Sequence, residues 1–72
     1  MSPIRFSIRE LRLGKGWSQT ELAEKAGTRQ ATISNLENGR SRRIEIDLLD
    51  RLAKVFSVQP GELIIQEKKV RR

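Results

Sequence analysis

SQTELAEKAGTRQATISNLENG, residues 18–39, decides the fold. Ser18 and Glu21 have the spacing of a capping box, in which a serine oxygen and a glutamate carboxylate satisfy orphan amides at a helix start. Leu22, Ala23 and Ala26 then fall on one face, and Gly27 supplies the positive φ that a sharp turn needs. A following helix over about residues 29–37 carries Ile33 and Leu36 on its buried side and is closed by Asn38 and Gly39. Two helices this short, joined at a glycine, cross closely only over small side chains. Ala23 and Gly27 meet that need, the glycine by having no side chain at all.

Working outward, Ile4, Ile8 and Leu11 follow helical spacing, so a first helix is expected over residues 4–15, stopped by Gly14 and Gly16. After Gly39 comes a basic loop, Arg40, Ser41, Arg42 and Arg43. Ile46, Leu49, Leu52, Ala53 and Phe56 define the buried stripe of a fourth helix, and Pro60 opens a short fifth one where its missing amide costs nothing. Leu63 and Ile64 are expected to close the core. No strand and no internal repeat are expected. The fold class that results is all-α, a compact bundle of five short helices forming one domain over residues 1–65, with a basic, frayed tail over residues 66–72.

A chain of 72 residues has room for one core only. With 36% hydrophobic and 33% charged residues it suits a small helical globule better than a disordered segment. The longest apolar run is Leu63 to Ile65 and no secretion signal is evident, so a soluble, cytoplasmic protein without membrane association is expected. The sequence has neither cysteine nor histidine, which removes disulfides, zinc fingers, thiol nucleophiles and imidazole bases together. Its nine carboxylates are scattered over amphipathic segments. No enzyme, cofactor or metal site is therefore expected.

Fifteen basic residues against nine acidic ones give +6, which points to a polyanionic partner. By segment the charge is +3 over residues 1–17, −1 over 18–27, +3 over 28–43, −2 over 44–65 and +3 over 66–72. Alternation of this kind suits a folded body with one cationic face rather than a membrane-active peptide.

The third helix says which polyanion. At about 100° per residue, Gln30, Ala31, Ser34, Asn35 and Asn38 point away from Ile33 and Leu36. A face that merely met water would favour Lys and Glu, which form helices better than Ser or Asn. Gln and Asn instead make paired hydrogen bonds to the major-groove edge of adenine, and an alanine methyl meets that of thymine. Ser18 and Gln19 lie at a helix start suited to phosphate, and Ser34, Asn38, Arg40, Arg42 and Arg43 are placed to hold the DNA backbone around that helix.

Taken together, the Ser18-Gln19 start, the Gly27 turn, the run from Leu36 to Gly39 and the pattern Val58, Pro60, Leu63 resemble the phage-repressor or Cro-type (xenobiotic-response-element) helix-turn-helix family over about residues 6–65. The resemblance implies a lambda-repressor-like DNA-binding domain with its third helix in the major groove. It implies that Arg29, Gln30, Ala31 and Asn35 read bases, and that Arg12 and Glu37 bridge the first helix to the end of the third. It also implies a homodimer on a palindromic operator, formed through the loop after the fourth helix and the last helix; Val58, Leu63, Ile64 and Ile65 are the interface candidates. Trp17 replaces a smaller aliphatic residue and is read as core. Arg29 stands where the family has a Ser or Thr cap, so Thr28 is the alternative cap of the third helix. Ser57 replaces a glycine after the fourth helix, and exposed Leu13 is a candidate partner contact.

A phage-type repressor, a restriction-modification controller and the antitoxin of a toxin-antitoxin pair all fit, with a toxin or polymerase as the protein partner in question. The rival reading is a protein-interaction module whose main role is holding a toxin. A single-stranded RNA binder fits poorly, because Phe6, Trp17 and Phe56 all sit at core-like positions.

Overall fold

Chain order is β1 (Ile4–Phe6), α1 (Ile8–Lys15), α2 (Gln19–Ala26), α3 (Gln30–Glu37), α4 (Ile46–Phe56), a 3-10 turn (Pro60–Leu63) and β2 (Ile64–Gln66), in a computed structural model that describes residues 4–41 and 43–66. The helical class stands. The fifth helix is a single 3-10 turn, and a two-stranded antiparallel sheet joins the ends of the fold, pairing Ile4 with Gln66, Arg5 with Ile65 and Phe6 with Ile64.

This sheet corrects two expectations. Residues 4–6 are a strand rather than the first turn of a helix, and Gln66 belongs to the fold rather than to the tail. The physical reason is a partner about sixty residues away: Ile-Arg-Phe and Ile-Ile-Gln are rich in residues that favour a pleated surface, and each supplies the other's backbone hydrogen bonds. Ser7 locks the junction. Its amide donates to the Leu63 carbonyl at 2.9 Å and its hydroxyl to the Glu62 carbonyl at 2.7 Å, so this buried serine is fully partnered.

Local chemistry fixes the helix ends. The capping box is formed as expected, with Ser18 Oγ accepting from the Glu21 amide at 3.0 Å and Glu21 Oε1 accepting from the Ser18 amide at 2.7 Å. Gly27 has φ +69°, and a Cβ there would lie 3.0 Å from Arg51 Nη1. That guanidinium donates to the carbonyls of Ala26 at 3.0 Å and Gly27 at 3.1 Å, so α4 clamps the end of α2 from behind. Ser57 occupies the left-handed region at φ +59°, where glycine costs less.

Ile8, Leu22, Ile33, Leu52 and Leu63 are fully buried, with Leu36, Leu48, Phe56 and three alanines around them. Within α4 the buried stripe is Leu48, Leu52, Ala53 and Phe56; Leu49 is half-buried and packs against that core, whereas Ile46 is 84% exposed, which corrects the expectation for Ile46. Two apolar stripes run along this helix, and the one centred on Leu48 and Leu52 faces the core. Ile64 is likewise 44% exposed rather than a core residue. Trp17 packs on the core as expected, its ring 5.7 Å from that of Phe56 and covered by Lys25 Nζ at 4.8 Å.

Candidate nucleic-acid interface

Helix α3 is amphipathic in an unusual sense. Ile33 and Leu36 are buried, whereas Arg29, Gln30, Ala31 and Asn35 are all exposed, as are Asn38, Arg40 and Arg43. Arg29 itself is the N-cap, in extended backbone and without a side-chain capping bond, so Thr28 does not take that role and α3 starts at Gln30. The helix therefore exposes a short row of polar side chains with an alanine among them, and exposed cations follow in the loop after it.

The chain after α3 is held close to it. The amides of Arg40 and Ser41 both donate to the Asn35 carbonyl, at 3.0 and 3.2 Å, and Ser41 Oγ donates to the Arg43 carbonyl at 3.0 Å. Half-buried Ser34 receives a hydrogen bond from Asn38 Nδ2 at 3.2 Å. A cleft of about 350 Å³ separates α3 from this loop, with Asn35 and Arg43 on its rim and Leu36 and Leu48 among its lining. Arg42 lies outside the described residues.

Behind the exposed face runs a polar seam. The Glu37 side chain is fully buried; Arg12 reaches it with two parallel bonds, Nε to Oε2 at 2.7 Å and Nη2 to Oε1 at 3.0 Å, while Arg12 Nη1 donates to the Trp17 carbonyl at 2.8 Å. Arg9 Nε lies 3.6 Å from the same carboxylate. Burial pushes the Glu37 carboxyl up, but the hydrogen bonds from Arg12 and Gln19 and the charges of Arg12 and Arg9 outweigh it and hold the group below its ordinary range. The same pair raises Arg12, chiefly through its hydrogen bond to Glu37.

Gln19 joins this seam to the surface. Its Nε2 donates to Glu37 Oε1 at 2.9 Å, and its Oε1 accepts from Gln30 Nε2. The two glutamines assigned to different roles, one at phosphate and one at a base, are thus neighbours at the first positions of α2 and α3. The family resemblance implied the Arg12–Glu37 bridge, but not that Gln19 would lean on it. At the start of α2 the capping box occupies the amides of Ser18 and Glu21, and those of Gln19 and Thr20 are the first-turn amides it leaves out.

The interface candidates near the C-terminus divide. Leu63 is fully buried within the chain and offers no surface, a correction to its assignment. Val58 and Ile65 are half-buried and Ile64 is exposed.

Residues 8–63 match the helix-turn-helix family. The chain belongs to that family, in its Cro and xenobiotic-response-element branch. The match spans α1 through the 3-10 turn and leaves both strands outside it. The chain is 36% identical over 62 residues to the competence pilus inhibition repressor of Acinetobacter baylyi, covering 86% of this chain and 56% of that protein. It is 53% identical over 39 residues to the antitoxin HipB of Escherichia coli, covering 51% of this chain and 44% of HipB. The chain thus spans about half the length of these helix-turn-helix relatives. Among solved structures, that of SinR of Bacillus subtilis, the master regulator for biofilm formation, in complex with DNA superposes with a TM-score of 0.74 at 34% identity, over 78% of this chain and 89% of that one. Helix-turn-helix proteins of this branch are DNA-binding transcriptional regulators, and this chain carries their DNA-binding fold. Among the described residues no helix is long and apolar enough to cross a membrane.

Proposed function

We propose that the protein is a sequence-specific duplex-DNA regulator that acts in the cytoplasm as a homodimer on an inverted repeat, with α3 in the major groove of each half-site. The observation that carries this reading is the division of α3: Ile33 and Leu36 anchor it while Arg29, Gln30, Ala31 and Asn35 face outward together. Arg29, Gln30, Ala31 and Asn35 read bases, with Gln30 and Asn35 foremost, and Ser18, Gln19, Ser34, Asn38, Arg40, Arg42 and Arg43 hold phosphates. Exposed Ile64, with half-buried Val58 and Ile65, supplies the apolar contact between protomers.

Selection from random duplexes tests this. The expected product is an inverted repeat with half-sites about 34 Å apart. On that site Gln30→Ala costs about 1 to 3 kcal/mol and relaxes preference at one base pair. Arg43→Ala weakens every sequence alike and lowers the salt slope by about one. Identical behaviour of the two variants contradicts the division into readers and holders.

The similarity to HipB favours one second reading, an antitoxin whose main role is to hold a toxin. A stoichiometric protein partner, recovered with no selected DNA sequence, supports that alternative.

A further inference from the structure

We infer that Glu37, a residue out of reach of DNA, is a positioning residue that sets base preference: through Gln19 it fixes which way round the Gln30 amide faces the groove, making Gln30 a reader of adenine rather than guanine. The inference rests on the proposed reading of Gln30 as a base contact and adds a cause for its selectivity.

The argument is one of donors and acceptors. An ionised carboxylate can only accept hydrogen bonds. Buried Glu37, held in that form by its two bonds from Arg12, therefore requires Gln19 to turn its NH2 group inward, as observed at 2.9 Å. Gln19 then has only its carbonyl oxygen to show to Gln30. A carbonyl also only accepts, so Gln30 must turn its own NH2 group toward Gln19, as it does. One N–H and the Oε1 of Gln30 remain for a base edge.

A donor beside an acceptor matches adenine, which presents N7 as acceptor and its N6 amino group as donor. Guanine presents two acceptors, N7 and O6, and would leave Gln30 Oε1 facing another oxygen. Were Gln19 reversed, Gln30 would accept from it and keep both N–H groups for the base, the pattern that suits guanine. The choice between the two is made at Glu37, whose side chain is fully buried.

The residues differ in what they can lose. Glu37→Gln replaces an obligate acceptor by an amide that presents either group, freeing Gln19 to turn. Gln19→Met removes both donor and acceptor at a half-buried position outside the core, so it keeps the test available if Glu37→Gln folds poorly.

The experiment measures equilibrium binding of the full chain to two duplexes, identical except for A·T or G·C at the position where Gln30→Ala loses preference. The wild type should favour A·T by about 5- to 150-fold. Gln19→Met and Glu37→Gln should each bring that ratio several-fold toward one, and Glu37→Gln added to Gln30→Ala should not change it further. A merely structural role for Glu37 lowers affinity for both duplexes equally and leaves the ratio standing. If Gln30→Ala removes a preference that Gln19→Met retains, the relay is wrong although Gln30 reads a base. If Gln19→Met relaxes the preference but folded Glu37→Gln keeps it, Gln19 acts without Glu37 and the inference is overturned. A wild type that favours G·C at this position, or a Gln30→Ala variant with unaltered preference throughout, overturns it together with the role of Gln30 beneath it.

Discussion

Helices α2 and α3 have eight residues each and cross over the same glycine turn, yet they are stabilised in opposite ways. Helix α2 carries its own support: a complete capping box, Glu21 in its first turn, Lys25 in its last, and a left-handed glycine behind it. Helix α3 starts at an arginine without a side-chain cap, has no acid in its first turn and no base in its last, and ends at Asn38 in ordinary helical backbone. Caps and dipole-matched charges each contribute about 0.5 to 1 kcal/mol, so α3 forgoes them and relies on Ile33, Leu36 and the Glu37 seam. One helix is specified locally; the other is held from behind, and its outer residues stay exposed.

Removing what holds α3 from behind should have the largest effect. Arg12→Ala leaves Glu37 buried without its two-pronged partner, and about 3 to 5 kcal/mol of stability should be lost, followed in urea by the fluorescence of Trp17. Acid probes the same seam. The folded Glu37 carboxyl lies below its ordinary 4.5, so its contribution is complete above about pH 4.5 and is lost as pH falls through the folded value. The stability advantage of wild type over Glu37→Gln should therefore shrink below about pH 4.5, and an advantage that grows on acidification contradicts the assignment.

Smaller effects should follow from the caps. Ser18→Ala should cost about 1 kcal/mol through the loss of a formed capping box while base preference stays as it was. Arg29→Asp gives α3 the cap and first-turn charge it lacks, so it should raise stability by about 0.5 to 1 kcal/mol and at the same time weaken DNA binding. A variant that is more stable and binds equally well would remove Arg29 from the interface.

The same contrast explains what the sequence made legible. The box at Ser18 and Glu21, the turn at Gly27 and the inner face of α3 are encoded within a few residues of one another, and all three form as read. Residues 4–6 satisfied helical spacing with Ile8 and Leu11, but over three residues that signal is weak, and the competing pairing lies with Ile64–Gln66 at the far end of the chain. In α4, adjacent Leu48 and Leu49 allow two stripes, and only packing selects between them. The link from Glu37 to Gln19 escaped for a similar reason: the two side chains meet through tertiary geometry, eighteen residues apart, with no spacing rule to announce them. Exposure of Gln30, Ala31 and Asn35 was legible because it is the complement of Ile33 and Leu36 on one short helix.

The most direct measurement is the affinity of a triple variant, Gln30→Ala, Asn35→Ala and Arg43→Ala, for the duplex selected by the wild type, with folding checked by circular dichroism. A recognition surface on the outer side of α3 predicts a folded protein whose preference for that duplex over random DNA is lost. A folded triple variant that keeps both affinity and preference would contradict it.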